Sequence, residues 1–151
     1  MGVFQSLNTT ASALTGQRLR MDIISSNMAN ADTSRANFVN GKWEPYRRKM
    51  AVIQPKETQF SSFLNAAAGQ NGQGAGGGME VTKIAADQTP FKLVYDPENP
   101  DANANGYVEM PNVDPLREMT DLISATRSYE ANVTVFNASK GMLMKALEIG
   151  K

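Results

Sequence analysis

Between Phe4 and about Met28 the apolar side chains return at helical intervals. Leu7, Ala11, Leu14, Met21 and Met28 fall on one stripe, with Phe4 and Ile24 beside it. This spacing predicts an amphipathic helix. The seven-residue step through Leu7, Leu14, Met21 and Met28 is that of a coiled coil, with Arg18 as the one charged position in the seam. Asn30-Ala31-Asp32-Thr33-Ser34 follows, a run whose side chains bond their own backbone and favour a turn.

A second, longer stripe closes the chain. Asp114-Pro115 supplies an N-cap and then proline at the first helical position, where its missing N–H does no harm. Met119, Leu122, Thr126, Tyr129, Val133, Phe136, Leu143 and Leu147 continue it, broken by Lys140. This heptad-like seam is roughly 50 Å long, and Gly150 is placed to end it. Glu118 and Asp121 sit toward the positive end of the helix dipole, with Lys140, Lys145 and Lys151 toward the other.

Between the helices the period changes to two. Tyr46–Gln54, Met79–Ala86, Phe91–Tyr95 and Tyr107–Met110 read as short strands separated by Pro, Gly and Asn. Residues 65–78 are glycine-rich and uncharged, the composition of a flexible loop. The plan is therefore α+β, with an N-terminal helix in 1–33, a β-rich insert in 34–112 and a C-terminal helix in 113–151. The two helices are expected to pair as an antiparallel coiled coil. A register that sets Met28 near Ser124 brings Arg18 within reach of Glu130. Neither helix can be covered by so small an insert, and isolated helices are marginal in water. The remaining apolar faces call for partners, most simply further copies, and alone the chain is expected to have poorly ordered ends and an ordered middle.

Composition narrows the function. Lys and Arg number 15 and Asp and Glu 15, so the formal charge is zero and gives no pull toward nucleic acid or an anionic membrane. The balance hides a split: residues 1–50 carry seven bases and three acids, and residues 51–112 carry three and seven. With no Cys and no His, thiol chemistry, thiolate metal sites and the commonest general base are excluded. No apolar run is long enough to span a membrane, and Met1–Leu14 lacks the pattern of a cleaved signal peptide.

Three segments suggest chemistry. Asp101, Asn103 and Asn105, with Gly106 after them, match the opening of a calcium loop, but the twelfth position is Asn112 rather than Glu. The same residues form an Asx-rich turn unaided, which is the reading the composition favours. Tyr46-Arg47-Arg48-Lys49 is a basic run whose side chains would alternate along a strand, solvated or facing a neighbouring subunit. The glycines at 69–78 lack the Gly-Lys-Ser/Thr of a phosphate loop. No nucleophile stands with a base, so no catalytic residues and no cofactor are expected.

Ser26-Asn27-Met28-Ala29-Asn30-Ala31-Asp32-Thr33 resembles the S-x-N-hydrophobic-A-N-x-x-T box of bacterial flagellar axial proteins, those of the rod and hook. Further stretches resemble the rod members of that family. These are Pro45-Tyr46-Arg47-Arg48, Tyr95-Asp96-Pro97, Gly106-Tyr107-Val108, Pro111-Asn112-Val113 and Arg127-Ser128-Tyr129-Glu130-Ala131-Asn132. The likeness runs along nearly the whole chain. It implies both termini paired in an inner α-helical layer, partners among copies of itself and other flagellar rod proteins, and no enzyme activity. It also implies export by the flagellar type III apparatus without signal cleavage, to a rod crossing the periplasm. The alternative from another class is a soluble helical adaptor or binding module with a calcium-supported β insert.

Overall fold

A computed structural model of the chain describes residues 3–39, 41–56, 67 and 78–149. The glycine-rich segment expected to form a loop lies outside the described residues apart from Ala67 and Gly78, as does Gly150. Two long helices bracket six short strands: α1 (Val3–Ala29), β1 (Asn37–Val39), β2 (Lys42–Glu44), β3 (Lys49–Pro55), β4 (Met79–Ala86), β5 (Lys92–Tyr95), β6 (Tyr107–Met110) and α2 (Pro115–Ile149). The α+β class and both helices agree with the hydrophobic pattern. The strands pair as three two-stranded sheets, β1 with β2, β3 with β4 and β5 with β6.

The helix ends follow their sequence signals. Asp114 Oδ1 accepts the Leu116 N–H at 3.1 Å, and the Asp114 carbonyl accepts the Glu118 N–H at 2.9 Å. An orphan donor of the first turn is thereby satisfied. At the other boundary Asn30 Nδ2 donates back to the Ser26 carbonyl at 2.9 Å. The Thr33 carbonyl then accepts the Tyr46 N–H at 3.1 Å. Asn30 and Thr33 thus close α1 and hand the chain on.

The β1–β2 hairpin was not foreseen, although its signal, Asn40-Gly41, is a hairpin dipeptide. Gly41 has φ +81°, and Phe38 pairs across the strands with Trp43 at 5.2 Å between ring centroids. Two expected strands begin later than the alternation implies. β3 opens at Lys49 rather than Tyr46 because the Arg48 N–H is taken by the Asn112 side chain at 2.8 Å. β5 opens at Lys92 rather than Phe91.

The residues gather into two compact units, each drawing on both helices. One comprises residues 1–19, 52–83 and 125–151, the other residues 20–51 and 84–124. In the first, the buried positions among the described residues are small: Thr10, Ala13 and Gly16 on α1, and Ala125 on α2. Here Ser12 Oγ accepts the Met79 N–H at 3.0 Å, holding the start of β4 against α1. Gly78 has φ +77°, and a Cβ there would meet Ser12 Oγ at 2.5 Å, so glycine alone fits the contact. In the second unit the core is larger, with Ile23, Ile24, Tyr46, Val108 and Val113 buried around polar groups.

Candidate functional site

The second unit is organised around a carboxyl group. Glu118 lies one turn into α2 on the face opposite solvent and is fully buried. Its Oε1 accepts from Arg48 Nε at 2.6 Å, and its Oε2 accepts from Asn27 Nδ2 at 3.0 Å. Asn27, also buried, uses all its capacity. Its Oδ1 accepts from the Tyr46 hydroxyl at 3.0 Å and the Lys49 N–H at 2.9 Å, and Nδ2 donates a second bond to the Lys49 carbonyl at 2.9 Å. Arg48 reaches two further carboxylates, Asp87 at 3.7 Å and Asp121 at 3.6 Å. Asn112 holds the Arg48 backbone and donates to the Thr89 hydroxyl at 2.9 Å. The Asp87 carboxyl is held below the usual carboxylate range, first by the Thr89 N–H bond, with Arg48 adding to it.

These contacts correct two expectations. Arg48 is not a solvated strand residue but the counter-ion of a buried acid, and Arg47 lies over the Phe91 ring at 4.3 Å. The helix register also differs. Asn27 meets Glu118 and Arg20 meets Asp121 at 3.6 Å, a shift of about two to three turns from the pairing of Met28 with Ser124. Among the described residues Arg18 and Glu130 form no ion pair. The buried acid, which the hydrophobic stripe does not record, fixes where the two segments meet.

Asp101, Asn103 and Asn105 form the Asx-rich turn, with the side-chain oxygens of Asp101 and Asn103 already engaged. Asp101 accepts from Ser34 Oγ at 2.9 Å and is ion-paired with Arg35, whose hydrogen bond holds its carboxyl below the ordinary range. Asn103 Oδ1 accepts the N–H groups of Asn105 at 2.9 Å and Tyr107 at 3.0 Å. The Asp96 N–H bonds the Gly106 carbonyl at 2.9 Å. Gly106 has φ +78°, and a Cβ there would strike the Tyr95 ring at 2.9 Å. Tyr95 in turn packs edge-on to Tyr107 at 5.3 Å. Pro97 borders this glycine as well, and Pro111 is buried beyond β6. Among the described residues no three of His, Cys, Asp and Glu come together as a metal set. No described helix is long and apolar enough to cross a membrane.

Of the seam positions, Leu7, Leu14, Met21, Met28, Leu122, Tyr129, Val133, Phe136 and Leu143 are half-buried, whereas Ala11, Met119 and Leu147 are exposed. The most buried positions of α1, such as Ala13, Ile24 and Asn27, lie about a quarter turn round the helix from that stripe. Missed altogether by the sequence reading was Glu118. A lone acidic residue in a helix first turn reads as dipole compensation, and only the convergence of Asn27, Tyr46, Arg48 and Asn112 reveals its partners.

Those convergent residues are the ones that carry the likeness to axial proteins, and comparison with known proteins agrees. A family model described as flagella basal body rod protein matches residues 7–36, and one described as flagellar basal body rod FlgEFG protein C-terminal matches residues 104–149. The flagellar basal-body rod protein FlgC of Bacillus subtilis is 64% identical over 151 residues, with 100% of each chain covered. The chain belongs to the FlgC family of flagellar basal-body rod proteins. Its FlgC relatives in Borreliella burgdorferi, 43% identical with 99% and 98% of the two chains covered, and Salmonella typhimurium, 42% identical with 100% of each, extend the likeness over the same span. FlgC proteins are structural components of the rod, which removes the adaptor alternative.

Proposed function

We propose that this chain, as a structural subunit of the basal-body rod, polymerises into the helical drive shaft that transmits torque, and that it performs no reaction. One observation carries the reading beyond family membership. Both helices leave large apolar side chains in solvent, among them Phe4 at 79%, Leu116 at 76%, Met142 at 67% and Leu147 at 75% exposure. Exposed apolar surface spread along two helices marks a face that a partner covers. Heterologous contacts repeated by a screw operation give an open tube.

In the rod, α1 and α2 pair as an antiparallel coiled coil in an inner layer, and the seam through Leu14, Met21, Val133, Phe136 and Leu143 meets neighbouring subunits. Copies of itself and other rod proteins are the partners. The flagellar type III apparatus exports the chain with its first residues retained, and the rod carries it across the periplasm. The Glu118 junction keeps the middle of the subunit rigid enough to bear torsion. Deleting the gene should stop rod assembly and swimming, with both restored by complementation. N-terminal sequencing of the chain from isolated basal bodies should read from its first residues. Normal rods in the deletion strain would end this reading.

A further inference from the structure

The basic run Tyr46-Arg47-Arg48-Lys49 divides between two environments. Arg48 turns inward to Glu118, and the Tyr46 hydroxyl donates to Asn27. Arg47 and Lys49 instead line an open cavity of about 520 Å³, with Arg35, Thr33, Asn37 and the Tyr46 ring. Every residue of its wall belongs to the unit of residues 20–51 and 84–124. The fold thus adds a third base, Arg35, to the two that the run supplies.

Three cations line the cavity, and among the described residues no carboxylate does. One of the three is compensated from outside. Arg35 is paired with Asp101 through Nε and one Nη, and its other Nη has no bond among the described residues. Arg47 and Lys49 are in no ion pair among the described residues. Asp87, beside Ala86 of the wall, is engaged by Thr89 and Arg48. Asp32, next to Thr33 in the chain, and Glu44, across the β1–β2 hairpin from Asn37, do not line the cavity.

Aromatic rings, rather than acids, place the two unpaired bases. The Arg47 guanidinium lies over the Phe91 ring at 4.3 Å, and Lys49 Nζ over the Tyr46 ring at 5.4 Å. A ring attracts a cation without neutralising it, and a guanidinium stacked by its face keeps its N–H fork in the plane to donate. The charge is positioned and left uncompensated, and a cleft lined by one sign of charge concentrates the opposite ion.

We infer that this cavity binds a phosphate group, as the free ion or as the end of a phosphate monoester. Two uncompensated cations match the nearly two negative charges that such a group carries at about pH 7, where a single carboxylate supplies one. Its oxygens accept the fork of Arg47 and the ammonium of Lys49, and the Asn37 amide on the same wall offers a neutral donor. This binding is a property of the single chain and stands beside the rod-subunit reading rather than on it.

The full-length chain is titrated at low salt with inorganic phosphate and with glycerol 3-phosphate, and its backbone amide resonances are followed. Saturable shifts centred on residues 33–37 and 46–49 are expected with both. Tighter binding of the ester assigns the site to a phosphorylated molecule and equal binding to the free ion; either result upholds the inference. Affinity for glycerol 3-phosphate should rise between about pH 5 and about pH 7 as its second ionisation completes, whereas sulfate, doubly charged throughout, should bind with little change. Arg47→Gln with Lys49→Gln should weaken binding about tenfold or more. If that pair fails to fold, Lys49→Gln alone, at an exposed ammonium, should weaken it about threefold or more. Arg117→Gln, at an exposed base of the same unit, should leave it unchanged. Shifts spread evenly over the exposed bases, acetate binding as tightly as phosphate, or full affinity in Lys49→Gln would each overturn the inference.

Discussion

Glu118 has no access to water, yet both of its oxygens are satisfied by side chains from distant parts of the sequence. Removing one member of a buried ion pair strands the other and costs about 3–5 kcal/mol. Glu118→Ala is therefore expected to destabilise the unit by about that amount, read as a fall in the urea midpoint of the purified protein. Wild-type stability would show that the junction is solvated. Asp101 makes a different case, because its partner Arg35 is exposed and the tie is worth correspondingly less. Its folded carboxyl titrates below the ordinary value, so its contribution is full above about pH 4 and is lost as pH falls through the folded pKa. Asp87 acts in the same direction. Asp101→Asn should flatten part of the acid limb of a stability–pH curve; an unchanged limb would show that the pair does not contribute. Sequence makes the turn at 101–106 legible because its chemistry is local, whereas Glu118 is illegible because its meaning comes from contacts up to 91 residues away.

At the scale of elements, period and caps were enough to place both helices within a residue or two, since amphipathic spacing and Asp114-Pro115 act locally. Strand starts were less readable. Tyr46 and Arg48 alternate as a strand would, but their side chains and the Arg48 N–H are claimed by the Glu118 junction and Asn112. The register between helices was misread for the same reason: a seam of methionines and leucines tolerates sliding, and one buried polar contact does not. The seam itself is tested by Leu143→Asp. Leu143 is half-buried on α2, and burying an unpaired carboxylate against a neighbour costs several kcal/mol per subunit. The variant should be expressed at normal levels, remain out of the rod and leave cells non-swimming. Swimming at wild-type speed would remove Leu143 from the seam.

For the whole molecule, the two compact units differ in what secures them. The unit holding residues 20–51 and 84–124 has the aliphatic core and the charged junction, whereas among the described residues of the other the buried ones are small. Ordering a residue costs about 1–2 kcal/mol of backbone entropy, and the outer halves of both helices are expected to draw on neighbours to offset it. Amide hydrogen exchange on dilute monomer should be fast over residues 3–19 and 125–149 and slow around Asn27 and Glu118. Uniform protection would uncouple helix order from assembly. The uncovered apolar stripes predict disorder through both helices of the isolated chain; the junction confines that expectation to their outer halves.

The central claim is that this chain is a repeated, load-carrying subunit of the rod, and a density map of isolated basal bodies tests it most directly. The chain should appear as successive copies related by a screw axis, with α1 and α2 side by side and antiparallel in the inner wall, and Asn27 beside Glu118 in every copy. A rod built without this chain, or one holding it as a single peripheral copy with its helices apart, would contradict the account.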